Sequence, residues 1–266
     1  MTTDLGVPQI VLTIAGFDPS GGAGIIADIR TILAFGCRPL AAITSLTFQN
    51  EERVFGAIHQ TAKSLRAQIE PLVKEFRITA VKVGMLPTSE VVLEVARLVR
   101  ETSIPPPILD PVLNSSSGYE LMEPAARAAW LTELMPVARL ITPNVPEAET
   151  LTSMPIRNES DMRAAAAKLR ETGARAVLVK GGHLKQRSDV SGQRSEKLGP
   201  QDQAIDVLDD DGTVTVLRGE WIDGPPVRGT GCMLSAAIAA GLARDMNLQE
   251  SVSAAKRFVA GVIRSA

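Results

Sequence analysis

The chain has 266 residues, 45% hydrophobic and 22% charged, with a formal net charge of −2, proportions that suit a globular core and argue against nucleic acid or an anionic membrane as main partner. Aromatics are 3% of the chain, too few for base-stacking platforms, and no apolar run reaches the ~18 residues of a membrane span. The N-terminal MTTDLGVPQ lacks the regions of a signal peptide, and Cys37 and Cys232 form no CxxC pair; a disulfide framework and structural zinc are not indicated, and a cytoplasmic location is expected.

Gln9 to Ala15 reads as a buried strand ended by Gly16, and Asp18 to Gly24 as a Gly-rich loop. Ile25 to Phe35 is predicted helical, stopped by Gly36; Leu40 to Leu46 is the next strand and Ala62 to Phe76 the next helix. Ala80 to Val83 is a short strand before Gly84, followed by a helix over Ser89 to Arg100. Pro105, Pro106 and Pro107 force an extended connection into the strand Ile108-Leu109, ended by Asp110-Pro111. Pro124 to Leu134 is helix, Leu140-Ile141 strand, Pro146 to Leu151 a short helix, Asp161 to Thr172 helix and Ala176 to Val179 strand. Lys185 to Gln203, polar and rich in Ser, Gly and Gln, is predicted to be a mobile surface loop. Ile205 to Asp209 and Thr213 to Leu217 flank Asp210-Asp211-Gly212, a hairpin signal. Helices over Thr230 to Ala243 and Leu248 to Ser265 finish the chain. The alternation predicts a three-layer α/β/α fold, with a mostly parallel central sheet, helices on both faces and a late antiparallel hairpin. No domain boundary stands out, so residues 1–266 read as one domain.

In open α/β sheets ligands gather at the carboxyl ends of the strands. Here those ends carry the Gly16 to Gly24 loop, Gln49, Gly84-Met85, Asp110, Asn144 with Glu147, Lys180-Gly181-Gly182, and Gly229-Thr230-Gly231-Cys232. The last of these opens an Ala-rich helix, so its N–H groups and the helix dipole make an anion site. Cys232 sits at that end, where a thiol pKa is expected to fall and supply a thiolate base. Glycines for close approach, carboxylates for a cation, a lysine and an anion site together point to phosphoryl transfer. There is no GxxxxGK[ST] and no proper GxGxxG, so neither a Walker A loop nor a Rossmann oxidoreductase is indicated. Against these roles, Asn144 and Glu147 also have the spacing of a helix capping box, and Met85 suits core filling. His59 and His183 read as structural.

Thr13-Ile14-Ala15-Gly16, Asp18 to Gly24, Val83-Gly84-Met85, Leu109-Asp110-Pro111-Val112, Ile141 to Ala148, Val179 to His183 and Gly229 to Cys232 occur in one order along the chain. In that order they resemble the hydroxymethylpyrimidine and phosphomethylpyrimidine kinases of thiamine biosynthesis, within the ribokinase-like fold. The resemblance implies ATP-dependent phosphorylation of 4-amino-5-hydroxymethyl-2-methylpyrimidine and then of its monophosphate. It implies that Gln49 binds the pyrimidine, that Gly16, Asp28, Met85 and Val112 line its pocket, and that Cys232 is the base. Gly229, Thr230 and Gly231 would form the anion hole, Lys180 would reach the ATP phosphates, and Asp110, Asn144 and Glu147 would organise Mg2+ and its waters, Asp110 and Glu147 as the metal carboxylates. The Asp206 to Trp221 region would border the adenine, and a homodimer is implied.

The chain departs from the family pattern at Arg228, where His is frequent, at Glu51-Glu52-Arg53-Val54 and at Met233. It also lacks a C-terminal His-Gly tail. A pyridoxal or pyridoxine kinase of the same fold is the competing enzyme reading, and a non-catalytic pyrimidine-binding regulatory protein the competing non-enzyme reading.

Overall fold

The computed structural model describes residues 8–115, 117–182, 203–222 and 227–266. Among these residues nine strands form one sheet, in the order β3-β2-β1-β4-β5-β6-β7-β8-β9. They are β1 (Ile10–Phe17), β2 (Arg38–Gln49), β3 (Val54–His59), β4 (Ala80–Val83), β5 (Ile108–Leu109), β6 (Leu140–Ile141), β7 (Ala176–Lys180), β8 (Gln203–Asp210) and β9 (Thr213–Glu220). The run from β2 to β7 is parallel, while β3 at one edge and β8 and β9 at the other are antiparallel.

Residues alternate between the two faces with the two-residue period of a pleated strand. Leu12, Ile14, Val81, Val83, Leu109, Ile141, Val177 and Val179 enter one apolar core; Val11, Ala80, Ile108, Leu140, Ala176 and Leu178 enter the other. Helices α2 (Ala62–Glu75), α3 (Ser89–Glu101), α4 (Pro124–Ala129), α5 (Val145–Thr152) and α6 (Glu159–Glu171) cover the first face, through residues such as Leu65, Val92, Ala126, Ala148 and Ala165. Helices α1 (Gly24–Ala34), α7 (Thr230–Ala243) and α8 (Leu248–Arg264) cover the second, through Ile32, Ile238 and Val252. The predicted three-layer architecture and the late hairpin are as observed. Most elements fall within a few residues of their predicted bounds, and α7, β4, β5 and β6 match them.

Two expectations are corrected. The 54–59 segment, unassigned from sequence, is the edge strand β3; the side chain of Asn50 accepts the N–H groups of Glu52 and Arg53 and turns β2 into it. The predicted helix over Pro124 to Leu134 is α-helical only to Ala129, then widens to a π turn over Trp130–Leu134 and tightens to a 3-10 turn over Met135–Val137. Pro136 offers no N–H to continue a regular ladder. His59 ends β3 with Nδ1 3.0 Å from Ser45 Oγ. His183 and the 185–202 part of the predicted loop lie outside the described residues, and Gln203 begins β8.

Order β2-β1-β4 makes the chain reverse direction across the sheet at β1, and this opens a crevice at the carboxyl ends of β1 and β4. Helix α7 is apolar all round and packs against α1, α8, β1, β4 and β5, so its N-terminus is held firmly at that crevice. A Cβ on Gly241 of α7 would lie 2.8 Å from Ser251 Oγ and 2.9 Å from Ser251 Cβ of α8. Gly241→Ala is therefore expected to destabilise the fold by about 1–3 kcal/mol. Urea denaturation checks this, and an unchanged midpoint would show slack between the two helices.

Candidate active site

Three glycine-rich backbones meet at the crevice. Gly24 has φ +57°, and a Cβ there would sit 2.2 Å from the Gly16 carbonyl oxygen. Gly229 has φ +72°, and its Cβ would sit 2.1 Å from the Gly22 carbonyl oxygen. No L side chain fits either place. Asp18 shapes the first loop: one carboxylate oxygen accepts the N–H (2.8 Å) and hydroxyl (2.7 Å) of Ser20, the other the N–H of Ala23 (3.0 Å).

The crevice holds about 200 Å³ and is lined by Gly16, Gln49, Met85, Asp110, Val112, Asn144, Glu147, Lys180, Gly229, Gly231 and Cys232 among others. Met85 packs on Gly16, where a Cβ would lie 2.8 Å from its sulfur, and Thr44 Oγ1 donates to the Met85 carbonyl at 2.7 Å. Thr230 begins α7 but is not part of the lining. Asp28 is a correction: it does not line the crevice but is fully buried in α1, accepting from Lys82 Nζ at 2.8 Å and Thr13 Oγ1 at 2.6 Å. A buried carboxylate needs such partners, and Lys82, also fully buried, supplies the charge.

At the other end, Lys180 Nζ donates to Asp110 Oδ1 at 3.0 Å, and Thr142 Oγ1 donates to the same oxygen at 3.2 Å. Burial disfavours the Asp110 charge, but Lys180 and Lys82 outweigh it and hold its pKa below the ordinary value. For Lys180 burial is likewise outweighed, by Asp110 and Glu147, so its ammonium is held charged. Glu147 and Asn144 do form a capping box: Asn144 N–H donates to Glu147 Oε2 at 2.8 Å, and Glu147 N–H to Asn144 Oδ1 at 2.9 Å. Both also face the crevice. Burial, aided by the Asp110 charge, pushes Glu147 up to about 7 against the pull of Lys180.

The anion turn has its open donors. Gly229 caps α7 without a side-chain bond, and the first intrahelical bond is from Met233 N–H to the Gly229 carbonyl at 2.8 Å. The N–H groups of Thr230, Gly231 and Cys232 therefore have no intrahelical acceptor. The thiol expectation is corrected. Burial pushes Cys232 up to about 11; Lys82 and the Gly24 backbone pull it down, but Asp110 and Asp28 raise it further. A pKa of about 11 holds Cys232 as the thiol at neutral pH.

Several lining groups carried no clear sequence signal: Phe17, Thr47, Asn114, Ser115 and Leu121. Arg228, noted only as a departure, also lines the crevice, and Nη2 donates to Gln49 Oε1 at 3.0 Å. The Asp206 to Trp221 segment lies outside this lining, but Asp206 Oδ1 accepts the Gly181 N–H at 2.9 Å and so braces the end of β7.

The sequence model of the phosphomethylpyrimidine kinase family matches residues 18–266. This chain belongs to that family. Its relatives include the hydroxymethylpyrimidine/phosphomethylpyrimidine kinase of Streptomyces coelicolor, 38% identical over 96% of this chain and 89% of that one. The solved phosphomethylpyrimidine kinase of Clostridium difficile superposes with a TM-score of 0.79 at 34% identity, covering 96% of this chain and 99% of that one. Bacillus subtilis pyridoxal kinase, solved as an ADP complex, superposes with a TM-score of 0.80 at 33% identity, covering 95% and 90%. The chain is thus a phosphotransferase with the fold of the ribokinase-like vitamin kinases.

The raised thiol gives a direct check. With Cys37 replaced by Ser, iodoacetamide labelling of Cys232 in the free protein should be slow at pH 7–8 and keep rising above pH 10, because the reactive thiolate grows only as pH approaches about 11. A labelling rate that levels off by about pH 10 would show the thiol to be unperturbed, and one that levels off near pH 8 would show it lowered.

Proposed function

We propose that the protein transfers the γ-phosphoryl group of ATP to the hydroxymethyl oxygen of 4-amino-5-hydroxymethyl-2-methylpyrimidine, and then phosphorylates the monophosphate. The carrying observation is one crevice with Gln49 near one end and the anion turn, Lys180 and Asp110 near the other. In this reading Gln49 meets the ring, and Gly16, Met85 and Val112 wall it. The N–H groups of Gly229, Gly231 and Cys232, with that of Thr230 behind them, take up charge on the transferring group. Lys180 holds its charge toward the nucleotide phosphates, and the Asp206 to Trp221 hairpin borders the adenine.

Cys232 accepts the proton of the substrate hydroxyl. Its raised pKa makes the thiolate scarce but strongly basic. In a loose phosphoryl-transfer transition state the hydroxyl becomes acidic late, as its oxygen bonds to phosphorus, so little proton transfer is asked of the base before that point.

Asp110 and Glu147 suit Mg2+. Asp110 is ionised, and its Oδ2 makes no hydrogen bond among the described residues. No cluster of three His, Cys, Asp or Glu forms a cage among those residues, which fits an ion held by one or two carboxylates, water and substrate phosphates. Bound there, with Asn144 beside it, Mg2+ would neutralise phosphate charge. We also take residues 1–266 to act as one kinase unit. No helix among the described residues is long and apolar enough to cross a membrane, both cysteines are free, and a cytoplasmic setting would keep them reduced.

The match to Bacillus subtilis pyridoxal kinase favours pyridoxal as the second reading. ADP release with magnesium ATP, comparing hydroxymethylpyrimidine, its monophosphate and pyridoxal, separates them. Turnover of both pyrimidines is expected, and turnover of pyridoxal alone would overturn the proposal; binding of hydroxymethylpyrimidine without any turnover would instead favour a regulatory binder. Cys232→Ala should lower kcat by about 10²–10⁴-fold while leaving the pyrimidine dissociation constant within about tenfold, and unchanged turnover would remove Cys232 as the base.

For the quaternary state, Leu46, Phe48 and Ile58 share one face of β2 and β3 and are 39%, 50% and 55% exposed. We propose that a second copy covers this stripe. Sedimentation should find a dimer that Phe48→Asp converts to monomer; a wild-type monomer would refute it.

A further inference from the structure

Arg228 stands immediately before the anion turn and reaches across to the end of β2. Its Nη2 donates to Gln49 Oε1 at 3.0 Å and lies 3.7 Å from Asp18 Oδ2. Its Nη1 donates to the Asn50 carbonyl at 2.5 Å and to Ser20 Oγ at 3.5 Å. The guanidinium is thus held by two other segments of the crevice wall, and its side chain is 22% exposed.

A guanidinium has only donors. The Gln49 atom facing it must therefore be the carbonyl oxygen, because the reverse orientation would set N–H against N–H. A glutamine amide is close to symmetric in shape and ordinarily turns to suit its ligand. Here that rotation is opposed. Gln49 lines the crevice, and its Nε2 makes no hydrogen bond among the described residues. The donor end of the amide is the end left for a ligand.

We propose that Arg228 fixes the hydrogen-bonding polarity of Gln49, and so makes the crevice select a ring with an unprotonated nitrogen acceptor over one that carries a ring N–H. The inference rests on the assignment of Gln49 to the pyrimidine. A 4-aminopyrimidine presents an acceptor nitrogen beside a donor amine: Nε2 serves the first, and the second lone pair of Oε1 serves the other. The 4-oxo counterpart presents a donor N–H beside an acceptor oxygen, the reversed pattern. Only a turned amide would match it, and a turned amide would oppose Arg228. Arg228 is a positioning residue in this scheme; it acts through Gln49.

The test is kcat/KM for 4-amino-5-hydroxymethyl-2-methylpyrimidine and for its 4-oxo counterpart, measured on wild type, Arg228→Ala and Arg228→Lys. Wild type should prefer the amino ring by about 100-fold or more, because the mismatched ring leaves buried hydrogen-bonding groups unpaired. Arg228→Ala should narrow that ratio by about tenfold or more. Arg228→Lys, which also can only donate, should keep most of it. If Arg228→Ala does not purify folded, Arg228→Met keeps the aliphatic stem and takes its place. A merely structural Arg228 would alter melting temperature and the KM for ATP but not the ratio. An unchanged ratio in Arg228→Ala, or an equal loss in Arg228→Lys, overturns the inference and leaves the kinase reading standing. Wild type that turns over neither pyrimidine overturns the reading of function, and this inference with it.

Discussion

The crevice depends on backbone touching backbone with no side chain between. Gly24 closes on the Gly16 carbonyl, and Gly229 closes on the Gly22 carbonyl, each at a positive φ. These two contacts stack the end of β1, the following loop and the start of α7 into one wall. They decide where everything else can be: Gln49 on β2 and Lys180 on β7 belong to opposite sides of the sheet order, yet line a single space. A methyl group at either glycine would push the anion turn off the sheet, and the rest of the site would have nothing to face.

Charge is handled by pairing it, in the crevice wall and behind it. Lys82 with Asp28 and Lys180 with Asp110 are four charges removed largely from water, each with a partner within hydrogen-bonding distance. An unpaired member would be strongly unfavourable. Lys82 is held charged because Asp28, with help from Cys232 and Asp110, outweighs its burial. The Cys232 thiol is pulled both ways by these pairs, and its burial decides the outcome. A helix N-terminus therefore does not guarantee an acidic cysteine when the thiol is taken out of water.

Most of the architecture was legible because the parallel strands are short apolar runs with glycine or aspartate at their ends, such as Ala80–Val83 before Gly84 and Ile108–Leu109 before Asp110. Strand β3 was not, because an edge strand with exposed Phe55 and Ile58, entered through three charged residues, shows no clean alternation. Site residues at strand ends could be found by reading those ends in order. Asp28 could not be placed, since sequence does not tell a crevice carboxylate from one turned onto a lysine in the next layer. Lys82 did carry a signal: a lysine inside the apolar run Ala80-Val81-Lys82-Val83 has to find an anion. Arg228 and Gln49 lie 179 positions apart, and no local pattern announces such a pair.

Half of the residues of helix α7 are Ala or Gly, and it is buried from Leu234 to Gly241. A helix clamped in this way between a sheet and two other helices is an anvil: it cannot travel toward a ligand without opening the core behind it. Whatever movement accompanies the binding of a nucleotide and an acceptor has to come from the rim, chiefly the β2–β3 hairpin, whose outer strand is secured on one side alone. The fixed jaw carries the glycine-rich turn, and the free jaw carries Gln49.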